Sequence, residues 1–443
     1  MKPAEHSLEE GTDSSAPSDE GRSERLGLTG SGHCSAAPEK RRVADASWPR
    51  YLRVSLHELF LGSKLNLLLA FLPVAIVSDA SAWDGSLTFI ASLLALCPLA
   101  ERIGFATEQM ALHTNATVGG LLNATFGNVT ELIVSIFAIR NGLLRVVQLS
   151  LLGSVLSNLL LVLGCSFLIG GFRYKEQHFS ADTVRTNTSL LILGMITLLL
   201  PAMLDITNTQ VHDSDSLTLS RICSLILLGV YMSFLFFQLK THAYLFEGAP
   251  SDEDEDEDED EILGFWGSMF WMGVITVFIS ILSDFIVNTI EGAAESLNIP
   301  VAFVSTILLP IVGNAAEHAA AVIFAVKNKM ELSIGVAVGS ATQITLLAIP
   351  FCITAAWAVN SPLSLDFAPF ETCVFAFSVI GATSIMSDGK SNWLKGLVLC
   401  AAYVVLAAAF FFHVDPPGVD GAKWVNKDNL TSAMARPHVV EDL

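Results

Sequence analysis

The chain has 443 residues, of which 52% are hydrophobic and only 15% are charged, with a net charge of −20 and a mean hydropathy of +0.55. This composition is too apolar for a soluble protein of that length and excludes a disordered or disulfide-stapled class. Six of the seven cysteines lie in apolar runs, and no CxxC or Cys/His cluster predicts zinc. No motif predicts a cofactor or a nucleic-acid partner.

The predicted elements begin with a polar tail. Residues 1–55 are rich in Ser, Gly, Glu and Arg without an apolar period, which predicts a disordered segment. Apolar runs long enough to cross a bilayer then follow to the end of the chain. We predict eleven spans, at 65–82, 84–106, 116–139, 146–171, 187–205, 216–239, 263–290, 299–326, 332–358, 366–386 and 394–413.

Charge asymmetry predicts the orientation of these spans. With the N-terminus placed in the cytosol, eighteen Lys and Arg residues fall on the cytosolic side and five on the other. This distribution follows the positive-inside rule, although Arg140 and Arg145 are exceptions to it. We therefore expect a cytosolic N-terminus in an all-α polytopic membrane protein that contacts the lipid bilayer.

A short motif occurs twice, 186 residues apart. Gly127-Asn128-Val129-Thr130-Glu131 and Gly313-Asn314-Ala315-Ala316-Glu317 each place one glutamate within a predicted span. Within 116–139 and 299–326 the only other acid or base is His318, beside the second glutamate. A carboxylate in hydrocarbon costs roughly 2.5–3.5 kcal/mol on insertion scales, so the pair indicates function rather than packing.

The similarity between the two halves extends beyond the glutamates. Glu101 and Glu108 lie seven positions apart, as do Asp284 and Glu291, and Gly153-Ser154 matches Gly339-Ser340. The glutamate spans are the third and the eighth, so they cross in opposite directions. Opposed repeats with a site near the midplane are typical of secondary transporters. We predict an extra helix at 65–82, a first five-helix repeat at 84–240, a linker at 241–262, a second repeat at 263–413 and a tail at 414–443.

The repeated residues predict an ion site. Two carboxylates with amide, hydroxyl and freed backbone oxygens form the kind of all-oxygen set that Ca²⁺ prefers. Burial favours the protonated acid and a bound cation favours the carboxylate, so one pair of glutamates can hold one Ca²⁺ or two protons. The candidate lining residues are Ser154, Ser157, Asn158, Ser340, Thr342 and Gln343. We also expect Glu101, Glu108, Asp284 and Glu291 to serve ion access, and His318 to serve proton handling; helix-end solvation and packing are the alternatives.

The linker contains ten consecutive acids. Such a run is a solvated, self-repelling linker or a weak calcium-binding segment, without the spacing of an EF-hand. Its residues are Asp252, Glu253, Asp254, Glu255, Asp256, Glu257, Asp258, Glu259, Asp260 and Glu261.

Over roughly 55–413 the chain resembles the cation/proton exchanger family of the calcium/cation antiporter group. The motifs that carry the resemblance are the two Gly-Asn-x-x-Glu segments, Gly153–Gly164 and Gly339–Ile344. The acidic linker resembles that of fungal vacuolar Ca²⁺/H⁺ exchangers. The resemblance implies that Glu131 and Glu317 bind the ion, that Asn128 and Asn314 lie beside them, and that Ser154, Asn158, Ser340 and Gln343 line the pocket. It further implies that Glu108 lies at the cytosolic entrance and that His318 is the histidine of the family.

These observations predict a Ca²⁺/H⁺ antiporter of the vacuolar membrane that loads an acidic organelle by alternating access. Mn²⁺ as substrate and sodium as the coupling ion remain open alternatives, and a passive cation channel is a weaker one. An enzyme is not indicated, because no nucleophile accompanies the two buried acids. The sequence does not predict the oligomeric state.

Overall fold

The computed structural model describes residues 52–413 except 53, 54, 58, 61, 82, 115, 208–214 and 244–261. The polar tail over 1–51, the acidic run over 252–261 and the C-terminal tail over 414–443 lie outside the described residues.

The first half of the described chain is helical apart from one short strand. The 3₁₀ helix Lys64–Ala70 leads directly into α1. The elements that follow are α1 (Phe71–Ala80), α2 (Gly85–Ala111), α3 (Ala116–Phe126), α4 (Val129–Arg140), α5 (Leu144–Arg173), β1 (Gln177–His178), α6 (Ala181–Thr207) and α7 (Asp215–Phe236), the last continuing as a π-helix over Phe237–Thr241. Asp84 caps α2 by accepting a hydrogen bond from the Ser86 amide.

The second half repeats the order of the helices, with its short strand one connection later. Its elements are α8 (Phe265–Leu297), α9 (Val301–Gly313), α10 (Ala315–Val326), α11 (Met330–Ala358), α12 (Pro369–Met386), β2 (Lys390–Ser391) and α13 (Trp393–Phe412). The short strands β1 and β2 pair antiparallel, and so they join the α5–α6 connection of the first half to the α12–α13 connection of the second.

Within the described residues, eight helices are long and apolar enough to cross a membrane, and α9 with α10 forms a ninth candidate bent by 57°. The predicted spans 65–82 and 116–139 correspond to shorter elements, namely the 3₁₀ helix with α1, and α3 with α4. The chain is therefore an all-α integral membrane protein, and the count of eleven stays a prediction. The domain boundaries likewise stay predictions.

Two spans lie at the centre of the molecule. In an 18-residue apolar window of α5 and of α11, 78% and 72% of the residues are buried, against 28% in such a window of α13. Both central helices contain a π-turn, at Ser157–Val162 and at Ile344–Ala348. A π-turn shifts the backbone hydrogen bonds by one residue, and such turns occur frequently at functional sites.

The two halves pack against each other through their helices. α2 lies along α8, the first helix of the other half. α4 packs against α8 and α10 packs against α2. Each short helix that carries a glutamate therefore contacts the opposite half, which places both glutamates at the boundary between the repeats.

Candidate ion-binding site

Both glutamates lie at a break in the helix that carries them. α3 ends before Gly127 and α4 begins at Val129, whereas α9 ends at Gly313 and α10 begins at Ala315. Glu131 and Glu317 consequently fall in the first turns of α4 and α10. Unpaired amide groups and the helix dipole favour negative charge at such a position, so the break offsets part of the cost of a carboxylate in the membrane.

The two asparagines occupy the capping positions of these helices without capping them. Asn128 and Asn314 precede α4 and α10, each is 1% exposed, and neither side chain bonds a backbone amide of its helix. Their amide oxygens have no hydrogen-bond donor among the described residues. The side-chain oxygen of an asparagine at this position usually accepts a hydrogen bond from a backbone amide in the first turn of its helix. Here that oxygen accepts none, so it is available to a cation.

The second glutamate is held by a chain of polar contacts. The Ser340 hydroxyl lies 3.1 Å from each carboxylate oxygen of Glu317, to which it donates. Asn158 Nδ2 in turn donates to the Ser340 hydroxyl at 3.0 Å, and the Asn158 amide oxygen has no donor among the described residues. Two of the predicted lining residues are therefore brought together with Glu317, with contributions from α5, α10 and α11.

A second contact crosses between the halves at the first glutamate. Asn128 Nδ2 donates to Gln343 Oε1 at 2.8 Å. Gln343 is the last residue before the π-turn of α11. The contact engages the amide nitrogen of Asn128 and leaves its amide oxygen without a hydrogen-bond partner among the described residues. It also connects the break of the first half to the central helix of the second.

His318 contacts α5 rather than its neighbouring glutamate. Its Nε2 lies 3.1 Å from the hydroxyl of Ser157, the first residue of the π-turn in α5. The histidine is half-buried, and the equivalent position of the first half is Leu132. A titratable group thus occurs on only one side of an otherwise matched site.

A cavity of about 20 Å³ lies beside Glu131, which is enough for about one water molecule. It is lined by Leu96, Thr130, Glu131, Val134, Ser150, Ser154, Leu309, Pro310 and Gly313. Glu131 Oε1 is 3.6 Å from the point where a Cβ on Gly313 would lie. The first glutamate therefore reaches the break of the second half.

The two halves are packed unequally. In α9, Val304 and Ile307 are 2% and 3% exposed, whereas Val118 and Leu121, at the equivalent positions of α3, are 40% and 43% exposed. A Cβ on Gly153 would lie 2.1 Å from the backbone oxygen of Thr306, so α5 and α9 are in direct backbone contact. A Cβ on the equivalent Gly339 would have no atom within 4 Å in the described part of the chain. Among the described residues, α9 is therefore more tightly packed than α3.

The four acids predicted to serve ion access do not line this cavity. Glu101 is paired with the guanidinium of Arg102, one residue further along α2. Glu108 and Glu291 are exposed, and Asp284 is half-buried in α8. Their role stays a prediction.

The polar side chains at the two breaks offer oxygen atoms as ligands. Within the described residues, no group of three or more His, Cys, Asp and Glu side chains is placed to bind a metal ion. The available ligands are two carboxylates with amide and hydroxyl oxygens, which are ligands of Ca²⁺. The site also includes residues that sequence reasoning did not select, namely Thr130 and Ser150; both are small polar residues one helical turn or less from a selected residue.

A buried ion pair outside the site was also not predicted. Arg145 of α5 binds Glu371 of α12, and His413 Nε2 lies 3.4 Å from the same carboxylate. Arg145 is 6% exposed and Glu371 is fully buried. One feature of the sequence could have indicated this ion pair. Arg145 is predicted to lie on the side of the membrane that has few Lys and Arg residues.

Comparison with known proteins agrees with this architecture. The family described as "Sodium/calcium exchanger protein" matches residues 85–240 and 267–412. The chain belongs to that family, a class of integral membrane transporters. It is 48% identical over 374 residues to vacuolar cation/proton exchanger 3 of Oryza sativa subsp. japonica, covering 83% of this chain and 90% of that protein. It is 44% identical over 365 residues to the Ca²⁺/H⁺ antiporter of Aphanothece halophytica, covering 80% and 97%.

Solved structures share the fold. The native structure of YfkE, a Ca²⁺/H⁺ antiporter, has 33% identity and a TM-score of 0.68, covering 79% of this chain and all of that one. The H⁺/Ca²⁺ exchanger CAX has a TM-score of 0.62 over 87% of this chain at 16% identity, which supports the fold alone.

Proposed function

We propose that this protein exchanges Ca²⁺ for protons across the vacuolar membrane. The observation that carries the proposal is the pair of glutamates at two helix breaks, one from each half, surrounded by amide oxygens without donors. The names of the relatives support a vacuolar cation/proton exchanger in particular. Glu131 and Glu317 are the ion-binding carboxylates, with Asn128, Asn158 and Asn314 as oxygen ligands.

The exchange alternates between two loaded forms of the site. Ca²⁺ from the cytosol binds as the two carboxylic acids release their protons, and the charge of the pair is neutralised in either case. The loaded site then opens to the lumen, where acid protonates the glutamates and Ca²⁺ leaves. Alternation follows from the unequal packing: the α5–α9 contact at Gly153 closes one side, and the matching contact at Gly339 closes the other in the opposite state.

With the N-terminus in the cytosol, the α9 side faces the lumen and the exposed α3 side faces the cytosol. The described structure then corresponds to a cytosol-open state. Two protons moving down an assumed gradient of roughly two pH units release about 5 kcal/mol, because each pH unit is worth ~1.36 kcal/mol per proton. That free energy supports nearly four decades of Ca²⁺ gradient, at ~1.4 kcal/mol for each decade.

The test is Ca²⁺ uptake into sealed vesicles that contain the purified protein, driven by an imposed pH gradient. Glu131→Gln keeps the shape of the side chain and removes its charge, so pH-driven uptake should be lost. Glu331→Gln, in the first turn of α11 and away from the cavity, is the matched control and should transport normally. If E131Q takes up Ca²⁺ as well as the control does, the proposal is wrong.

Sodium coupling is the second candidate, because the matching family is described by sodium/calcium exchange. Imposing a sodium gradient with pH clamped on both sides separates the two. Proton coupling predicts no uptake under that condition, and sodium coupling predicts uptake that does not depend on a pH gradient. The same vesicles report whether Mn²⁺ competes with Ca²⁺.

A further inference from the structure

Two cysteines from different helices lie side by side on the half of α5 beyond the π-turn. The sulfur of Cys165 in α5 is 3.9 Å from the sulfur of Cys400 in α13. Both residues are half-buried and neither is bonded in a disulfide. The ion-exchange mechanism uses neither of them.

The backbones of α5 and α13 touch at this point because glycines line the contact. A Cβ on Gly164 would lie 2.9 Å from the backbone nitrogen of Cys400, and a Cβ on Gly396 would lie 2.2 Å from the backbone nitrogen of Leu168. A disulfide requires the Cα atoms of its cysteines to be within about 7 Å. We expect helices already in backbone contact to meet that requirement by turning the two side chains, without a change in how the helices pack.

The position of the pair limits which reagents reach it. Cys165 precedes the end of α5 at Arg173 by eight residues, which is about 12 Å along the helix axis. The hydrocarbon core is about 30 Å thick, so the pair lies well inside it. Ionic oxidants are excluded at this depth, whereas hydrogen peroxide is small and uncharged.

We propose that Cys165 and Cys400 form a reversible disulfide site that takes a peroxide as its oxidant and slows ion exchange when bridged. One thiol gives up its proton and attacks a peroxide oxygen, forming a sulfenic acid and releasing water once the proton is transferred. The second thiol attacks that sulfur, the S–S bond forms and a second water leaves. The two thiols lose two electrons and the peroxide gains them, and a dithiol reductant reverses the reaction.

The expected slowing of exchange follows from the position of Asn158 in α5. Asn158, whose amide bonds Ser340, lies in the π-turn two helical turns before Cys165. A covalent bridge to α13 restrains the central helix next to that turn, and exchange requires the packing of α5 to change. This second part of the inference depends on the proposed function, whereas formation of the bridge does not.

The experiment uses the full-length protein in vesicles, with the exposed Cys373 replaced by serine, and with Cys34, which lies outside the described residues, replaced as well. Vesicles are treated with hydrogen peroxide, free thiols are blocked, and mass spectrometry searches the digest for a peptide pair joined through Cys165 and Cys400. We expect the joined pair to form, and pH-driven Ca²⁺ uptake to fall about threefold or more. A membrane-permeant dithiol should restore uptake.

The controls are C165S and C400S, each of which removes one thiol while keeping its size. Uptake by these variants should resist peroxide. Absence of the joined peptide in the parent protein would overturn the site, and a joined peptide with unchanged uptake would overturn its effect on exchange. If untreated vesicles do not exchange Ca²⁺ for protons, the proposed function fails while the peptide result still decides the disulfide.

Discussion

The backbone contact at Gly153 makes the sharpest prediction about the conformational state. In Gly153→Ala the new methyl group would lie 2.1 Å from the Thr306 oxygen and 2.8 Å from Pro310 Cγ. Ordinary contact between such atoms is about 3.5 Å, so α5 and α9 must separate by more than about 1 Å. Overpacking of this kind costs roughly 1–3 kcal/mol.

That cost falls on one state of the exchanger only. A shift of roughly 1–3 kcal/mol changes the ratio of two states about 5- to 150-fold, so G153A should depopulate the state in which this side is closed. The equivalent variant G339A places a methyl group where no described atom lies within 4 Å, and it is the matched control. The thermal unfolding midpoint in detergent without Ca²⁺ should fall for G153A and stay near wild type for G339A.

Labelling distinguishes a shift of state from simple loss of stability. A single reporter cysteine at the exposed position Leu121 should become less reactive towards a water-soluble maleimide in G153A, because the opposite state closes the α3 side. Equal unfolding midpoints and equal labelling of G153A and G339A would refute the assignment of a closed α5–α9 seam.

Two further predictions concern charges away from the site. Arg145→Ala leaves the buried carboxylate of Glu371 without its main partner, at a cost of roughly 3–5 kcal/mol; the unfolding midpoint should drop, and R145M/E371L should recover part of the loss. Lys395 Nζ donates to both carboxylate oxygens of Asp388 at 2.5 and 2.7 Å, which lowers the pKa of this loop aspartate. K395Q should raise that pKa in an NMR titration, and the ion pair, present at neutral pH, should be lost as pH falls through the folded-state pKa.

Much of the fold was predictable because hydrocarbon restricts what can cross it. The length of an apolar run predicts a span, and each of the eleven predicted spans overlaps a described helix. The breaks were also predictable, since Gly127-Asn128 and Gly313-Asn314 place flexible and poorly helix-forming residues inside apolar runs. The π-turns in α5 and α11 were not, because the side-chain pattern of a π-turn differs little from that of an α-helix.

The contacts around the glutamates depended on tertiary packing in a similar way. Ser340 and Asn158 were selected as lining residues, but their joint contact with Glu317 requires α5, α10 and α11 to meet. Ser157, a predicted lining residue, contacts His318, a partner that the sequence did not indicate. Spacing along one helix predicts which residues share a face, whereas it carries no information about which face another helix presents.

By itself the sequence determined that this is a membrane transporter built from two related halves with one glutamate in each, because a charge in an apolar span is costly and its repetition is improbable without function. The tertiary structure decided which half is closed. Equivalent positions such as Val118 and Val304 differ in exposure although the repeat makes them formally alike. The repeat makes such positions look alike in sequence, and their burial differs because it depends on which helices pack against them.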